Sequence, residues 1–129
     1  GAITLDESAG CIVVGLRYEH QYKSLRLDTG GLLGTTIGRP KRWGDITLDL
    51  LAATSFRIGP TMNVDDMEVL ETREQTDPIG LRAKLWKGLY RLTSGGPWST
   101  DSRICARGDD PRPWFLLAIL PESDTNEVL

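Results

Sequence analysis

Apolar and polar residues alternate along much of this chain with the period expected of a β-strand. The clearest case is the segment 45–51, in which Ile46, Leu48 and Leu50 alternate with aspartate and threonine. A period of two places the three apolar residues on one face and the polar residues on the other. The segment therefore predicts a strand with one face in a hydrophobic core, and the stretch 56–58 continues it after a break.

Seven consecutive apolar residues, 114–120, stand between Pro113 and Pro121. The run is far shorter than the roughly 20 residues that a transmembrane helix needs. Its length and its flanking prolines favour a strand over a buried helix. Because no polar residue interrupts the run, we expect a central strand that is covered on both faces and ends at Pro121.

Three other segments have strand-like sequences. Residues 11–20 are rich in β-branched side chains, whereas residues 22–28 and 98–107 alternate between the two faces of a strand. Each is therefore predicted to be a strand.

Two further segments are less clear. The acidic segment 64–76 has few apolar residues and favours a loop that contains a short strand. Apolar residues in 81–92 have helical spacing, but Gly88 in the interior disfavours a helix, so two short strands fit nearly as well.

Together these segments predict an all-β fold. We expect a β-sandwich of roughly six to eight short antiparallel strands, with at most one short helix. Residues 1–10 are predicted to be a flexible lead-in, residues 11–122 a single domain and residues 123–129 a tail. Because the chain begins with Gly1-Ala2 and not with methionine, we expect it to be part of a larger parent chain.

Composition and charge narrow the class of protein. Of 129 residues, 40% are hydrophobic and 26% are charged, as in ordinary globular domains. The formal net charge of −3 argues against a dedicated nucleic-acid-binding protein, because such proteins carry a basic surplus. Cys11 and Cys105 lie far apart in predicted strands, so we expect buried free thiols in preference to a disulfide.

No pattern in the sequence predicts an enzyme, a cofactor or a metal site. His20 is the only histidine, and one histidine with two distant cysteines does not make a zinc site. The carboxylates of 65–74 could serve glycoside hydrolysis, but a solvated acidic loop explains them better.

A glycine-flanked loop, 34–42, carries the cations Arg39, Lys41 and Arg42. In a P-loop, four residues separate the glycines, and lysine and serine or threonine follow. Here three residues separate Gly34 from Gly38, and Arg-Pro follows, so a nucleotide site is not expected. The three cations could contact a phosphate group or an acidic neighbouring subunit, or they could be solvated.

Four tryptophans, at positions 43, 86, 98 and 114, are many for a chain of this size, and each lies near a predicted strand end. Rings of this size usually fill cores or subunit contacts. A sugar-stacking platform is the alternative, which would make the domain a carbohydrate-binding β-sandwich module.

Several segments follow one another in a recognisable order. They are VGLRYE (14–19), GTTIGRPKR (34–42), ITLDL (46–50) closing on IGP (58–60), GPWSTD (96–101), and DDPRP (109–113) leading into LAILPE (117–122). In this order they resemble the C-terminal part of the tail nozzle proteins of short-tailed phages, also called tail tubular protein B or packaged-DNA stabilisation proteins. The resemblance covers roughly residues 12–122. The chain departs from the family at Arg17, where a proline is usual, and at Pro40, where a basic residue is usual.

The resemblance implies a structural virion protein without enzymatic activity or a cofactor. Identical subunits of the parent would form a ring, expected to be a hexamer, below the phage head. The ring would dock on the adaptor ring of the tail, retain the packaged DNA and conduct it on ejection. The location implied is the virion tail, assembled in the host cytoplasm, with no membrane involved. Because a ring needs wide subunit contacts, Arg39, Lys41 and Arg42 are the expected contacts with a neighbouring subunit or with phosphate.

Overall fold

The computed structural model of the chain describes residues 1–28, 30, 34–78, 80–82, 84–93 and 96–125. Within these residues the chain forms seven β-strands and one short 3-10 turn. The strands are β1 (His20–Lys23), β2 (Lys41–Ala53), β3 (Ser55–Gly59), β4 (Glu68–Glu71), β5 (Trp86–Thr93), β6 (Cys105–Gly108) and β7 (Phe115–Thr125), and the 3-10 turn is Val64–Asp66.

The seven strands form two antiparallel sheets. One has the order β1-β6-β3-β4, and the other has the order β5-β2-β7. The predicted fold class, an all-β sandwich of short antiparallel strands, is confirmed. No helix in the described part of the chain is long and apolar enough to cross a membrane.

The hydrophobic core lies between the two sheets. Ile46, Leu48 and Leu50 of β2 are 4%, 0% and 1% exposed, as their period of two predicts. Residues from or beside strands of both sheets complete the core, namely Trp43, Ala53, Phe56, Ile58, Leu70, Leu92, Ile104 and Ala106. The inner face of β2 is therefore the largest single contribution to the core.

The central strand is β2, and not the apolar run near the C-terminal end. β2 pairs with β5 on one side and β7 on the other, whereas β7 is at the edge of the three-stranded sheet among the described residues. On β7, Phe115, Leu117 and Leu120 are more than half exposed. The prediction of a central strand covered on both faces is wrong, because only one edge of the run is paired and alternate side chains face outward.

Pro121 does not end β7. It lies opposite Ile46, and β7 continues to Thr125, beyond the domain end predicted at residue 122. An edge strand tolerates proline because the missing N–H can fall on its unpaired side. Residues 126–129 of the predicted tail lie outside the described residues.

The chain crosses from one sheet to the other between β2 and β3. Ala52 has a φ of 51°, and the pairing of β2 with β5 shifts register between Leu50 and Ala53. Such an irregularity bends a strand out of its sheet. The Thr54 N–H and hydroxyl both donate to the carbonyl oxygen of Pro113 at 3.3 Å, which joins the crossing to the segment before β7.

Three predicted strands are much shorter than expected. Residues 12–19 lie in no sheet, and only His20 of the segment 11–20 belongs to β1. In the segment 98–107 the strand begins at Cys105, and Ser99 makes an isolated bridge with Lys41. The segment 22–28 contributes only two residues to β1. A strand forms only where a neighbouring strand can pair with it, which residue propensity alone does not show. The predicted strands were therefore longer than the observed ones.

The two ambiguous segments are resolved. The segment 64–76 contains the 3-10 turn and β4, which confirms the predicted loop with a short strand. The segment 81–92 forms the single strand β5, preceded by described residues without regular structure. The predictions of a helix and of two short strands are therefore both wrong. Gly88 has a φ of 112°, which glycine adopts readily and other residues avoid. Position 83 lies outside the described residues.

Both cysteines are free, as predicted. Cys105 is buried in β6, whereas Cys11 is exposed, so the prediction of burial is wrong for Cys11. Cys11 is exposed because the segment that contains it joins no sheet.

We expect Leu48→Ala to lower the free energy of unfolding by about 2–5 kcal/mol, because it deletes a fully buried side chain from the centre of β2. Leu117→Ala is the matched control, since Leu117 is 60% exposed on β7, and it should change stability by about 0.5 kcal/mol or less. Urea denaturation followed by tryptophan fluorescence measures both. Equal effects would contradict the assignment of β2 as the core strand.

Candidate interaction surface

The loop that leads into β2 is organised by Asp28. Its carboxylate accepts hydrogen bonds from the N–H groups of Gly30 (3.2 Å) and Thr36 (3.0 Å). It also accepts from the hydroxyl groups of Thr35 (2.9 Å) and Thr36 (3.1 Å). Gly38, with a φ of 87°, then turns the chain toward β2. The Asp28 carboxylate therefore holds in place the residues that precede Arg39, namely Thr35 and Thr36.

These hydrogen bonds lower the pKa of Asp28 from 3.8 to about 2. The largest cause is the N–H of Thr36, followed by the Thr35 hydroxyl and the N–H of Gly30. All three donate to the charged form of the carboxyl and so favour it over the protonated form. The Asp28 carboxyl is therefore charged at neutral and mildly acidic pH.

Lys41, one of the three predicted contact residues, is completely buried. Its Nζ donates to the carbonyl oxygen of Leu27 at 2.8 Å. Its backbone makes a two-way bridge with Ser99, and its carbonyl oxygen also accepts from the hydroxyl of Ser102 at 2.9 Å. Lys41 thus ties three segments of its own chain together, and it does not share a surface with Arg39 and Arg42.

Arg42, the next residue, lies on the outside of β2. Its guanidinium group forms an ion pair with Asp124, its cross-strand partner on β7, at 3.0 Å. The same group lies 5.2 Å from the centre of the Trp98 ring. The Arg42 side chain and Trp98 are each about half exposed, at 47% and 48%. This cation–π pair presents a flat, partly apolar surface to solvent.

Arg39 is the third predicted contact residue. It is half-buried in the turn before β2, where its N–H donates to the carbonyl oxygen of Thr36 at 3.2 Å. Its side chain has no hydrogen bond or ion pair with a described residue, so its guanidinium group is available to a partner. The role of Arg39 and Arg42 as contacts stays a prediction.

A second charged group lies on the same end of the sandwich. Asp101 accepts from Arg26 and from the Nε of Arg103, the latter at 3.0 Å. These bonds, with Arg103 the larger cause, hold the pKa of Asp101 below its usual value. The N–H of Asp101 also donates to the hydroxyl of Ser99, which adjoins Trp98. We call Arg26, Arg39, Arg42, Arg103 and Trp98 the basic end.

Sequence reasoning missed most of the basic end. Arg26 and Arg103 are far apart in sequence, and only the fold brings both to Asp101. The exposure of Trp98 was likewise not predictable, because all four tryptophans lie near predicted strand ends and the sequence does not distinguish them. The other three are buried or pack against the core. The one sequence feature that indicated part of this group is the spacing of Asp101 and Arg103, which are two residues apart and can form an ion pair with each other.

The other candidate groups are placed differently. The acidic residues Asp65, Asp66 and Glu68 are exposed on and beside the 3-10 turn. His20 lies between the rings of Tyr18 and Trp114, with ring centroids 5.0 Å and 5.1 Å away. Within the described ranges, no three histidine, cysteine, aspartate or glutamate side chains are grouped to hold a metal ion.

Comparison of the sequence with protein-family models found no match, and comparison with curated proteins found none.

We expect Lys41→Ala to lower the free energy of unfolding by about 2–5 kcal/mol, since it removes a fully buried side chain and leaves the Leu27 carbonyl oxygen without its donor. Arg42→Ala should cost about 1 kcal/mol or less, because its ion pair is exposed. Chemical denaturation of the two variants separates a structural lysine from a surface arginine. A larger effect at Arg42 would contradict this assignment.

The loop held by Asp28 should lose stability in acid. The folded pKa of about 2 lies below the ordinary value of 3.8, so the stabilisation is complete above the ordinary value and is lost as the pH falls through the folded pKa. Carboxyl carbon shifts measured by NMR between pH 1.5 and pH 6 give this pKa directly, and Asp28→Asn should remove the loop's acid sensitivity. A titration midpoint at or above the ordinary value would refute the proposed hydrogen bonds.

Proposed function

We propose that this chain is a structural domain of a short-tailed phage tail nozzle, in which identical subunits form a ring below the head. The ring would retain packaged DNA and conduct it on ejection. The observation that carries the proposal is that the segments responsible for the family resemblance meet in the fold. Arg42 of GTTIGRPKR covers Trp98 of GPWSTD, and ITLDL pairs with LAILPE across β2 and β7.

The chemistry of the basic end suits a subunit contact. Arginine and tryptophan are enriched at protein interfaces, where tryptophan supplies contact area and arginine supplies several directed donors. Arg42 and Trp98 are both half exposed and already held against one another, so little conformational freedom is lost when a partner covers them. Arg39 adds a cation without a partner among the described residues.

The overall charge is compatible with a channel that lets DNA move. A wall with a small negative net charge repels phosphate weakly and does not hold the strand. The cations of the basic end are partly neutralised by Asp101 and Asp124, which favours a protein partner over a phosphate backbone.

No observation favours the carbohydrate-binding alternative. A sugar platform needs two or more coplanar aromatic rings in solvent. Trp98 is the only exposed tryptophan, at 48%, and the guanidinium group of Arg42 lies over its ring. Trp114 is stacked on Phe56, and Trp86 packs edge-on against Tyr90.

Negative-stain electron microscopy of the larger protein that contains this domain, alone and with the adaptor ring, tests the proposal. We expect rings of identical subunits, and we expect Arg42→Glu combined with Trp98→Ala to weaken each subunit contact by about tenfold, equivalent to about 1.4 kcal/mol per contact. Because every contact in a ring is affected, the fraction of particles in rings should fall sharply. Lys87→Glu on β5 is the charge-matched control, because Lys87 is exposed on the other edge of the sheet.

Isolated compact particles under every condition would overturn the nozzle proposal. Rings that tolerate the Arg42 and Trp98 substitutions would leave the nozzle standing and refute the basic end as the contact.

A further inference from the structure

The segment 12–18, shortly before β1, has a strand-like sequence but joins neither sheet. None of its backbone N–H or carbonyl groups forms a hydrogen bond with a described residue. The stretch beside it, which follows β6, holds Pro111 and Pro113, and prolines have no N–H to donate. The carbonyl oxygen of Pro113 already accepts from the Thr54 N–H. The segment therefore finds few backbone partners in this stretch of its own chain.

The segment has one polar face and one apolar face. Arg17 and Gly15 lie against the domain: Arg17 forms an ion pair with Asp109 at 2.8 Å, and a Cβ on Gly15 would lie 2.6 Å from the Cβ of Pro111. A strand conformation places the even-numbered residues on the other face. These are all apolar and more than half exposed, namely Ile12, Val14, Leu16 and Tyr18. The segment is thus an amphipathic strand sequence whose apolar face is uncovered.

The free edge of β7 offers the backbone partner that this segment lacks. Among the described residues β7 pairs only with β2, so its other edge has open N–H and carbonyl groups. Residues 115–120 lack the prolines and charged side chains that protect many edge strands, whereas Pro121 and Glu122 follow them. A groove of about 540 Å³ adjoins this edge and is lined by Tyr22 of β1 and residues 114–119.

Within one copy the segment and the groove do not meet. No residue of 12–18 lines the groove, and Arg17 ties the segment to the stretch after β6. One copy therefore presents both an uncovered strand sequence and an uncovered strand edge. An extended segment that joins such an edge gains main-chain hydrogen bonds, and its alternate side chains enter the neighbouring groove.

We infer that the segment 12–18 of one copy pairs with the free edge of β7 in a second copy and extends the three-stranded sheet. The pairing is antiparallel, as in every strand pair of the described chain, and matches the seven residues 12–18 with the seven residues 115–121. Each copy has one segment and one edge, so the contact passes from copy to copy and closes into a ring if the rotation allows. Its role in a ring rests on the proposed function and extends it.

Burial decides which way the added strand faces. Ile119 of β7 packs against the core, and directly opposed residues of an antiparallel pair lie on the same side of the sheet. Val14 therefore lies opposite Ile119, since a slip of one residue would turn the apolar face to solvent. The same register places Val13 opposite Leu120 on the outer face, where both side chains are already more than half exposed.

Sedimentation velocity of this chain tests the inference. We expect association that rises with protein concentration. Leu16→Lys in the segment and Leu117→Lys in the groove should each weaken it by about tenfold or more, because each puts a charge into the new strand pair. Leu89→Lys on β5 is the matched control, since Leu89 is an equally exposed leucine on the other edge of the sheet. It should leave association unchanged.

Disulfide trapping between two different chains tests the register. One chain carries Val13→Cys and the other Leu120→Cys, both with Cys11→Ser, so that the introduced thiol is the exposed one and Cys105 stays buried. After oxidation with diamide we expect at least about tenfold more linkage between positions 13 and 120 than between position 13 and Lys87→Cys on β5. Mass spectrometry identifies the linkage, and circular dichroism with thermal unfolding confirms that each variant keeps its fold.

Several outcomes would overturn the inference. They are a chain that stays monomeric at every concentration, association that tolerates Leu16→Lys and Leu117→Lys, and trapping no greater than in the Lys87→Cys control. If a chain with both Val13→Cys and Leu120→Cys is linked only within itself, the segment covers its own edge and the inference is wrong.

The larger protein separates this contact from the proposed function. Rings that persist with Leu16→Lys would refute this contact and leave the nozzle function intact. A larger protein that forms no rings, while positions 13 and 120 are still linked between copies of this chain, would overturn the nozzle function and leave the pairing.

Discussion

The fold depends on burial of the inner face of β2 between the two sheets. This strand pairs on both sides, with β5 and with β7, and its inward residues are the most completely buried apolar side chains of the three-stranded sheet. It also leads directly into β3 across the bend at Ala52, so one continuous stretch supplies strands to both sheets. Loss of this face would separate the two layers, because the core lies between them.

The alternation of side chains along β2 also determines which cations of the loop 34–42 are exposed. Lys41, Arg42 and Trp43 are consecutive, yet the first and third are buried and the second is exposed. The pleat of a strand sends successive side chains to opposite faces, and β2 begins at Lys41. A lysine at an inward position must bury its stem and find an acceptor for its ammonium group, which the carbonyl oxygen of Leu27 provides. The neighbouring arginine is thereby left to meet Asp124 and Trp98 on the outside.

Charge is distributed unevenly around a chain whose net charge is small. Arginines collect at the basic end and on the neighbouring strands β3 and β6, where Arg57 lies opposite Arg107. The exposed carboxylates of Asp65, Asp66 and Glu68, on and beside the 3-10 turn, have no described ion-pair partner. Several ion pairs already join distant segments, such as Arg17 with Asp109 and Arg107 with Glu19, and they hold part of the sequence before β1 against the domain. Apolar residues of that part, including Val14 and Leu16, remain largely exposed, so burial of these side chains requires surfaces beyond those that the described chain supplies.

Local sequence patterns are enough to predict the fold class, the inward face of β2 and the short strand β4 that follows the 3-10 turn. These features follow from local rules, namely a period of two, turn residues and the absence of long helical patterns. The identity of the central strand follows only from the packed fold, because an uninterrupted apolar run is equally compatible with an edge strand whose outer face is exposed to solvent. The packed fold also decided that residues 12–19 join no sheet, since strand formation needs a partner as well as propensity. The grouping of charged residues on the surface also could not be predicted from local patterns. Arg26 reaches the Asp101 carboxylate that Arg103 also contacts, and Arg57 lies opposite Arg107, only because the fold brings together residues far apart in the chain.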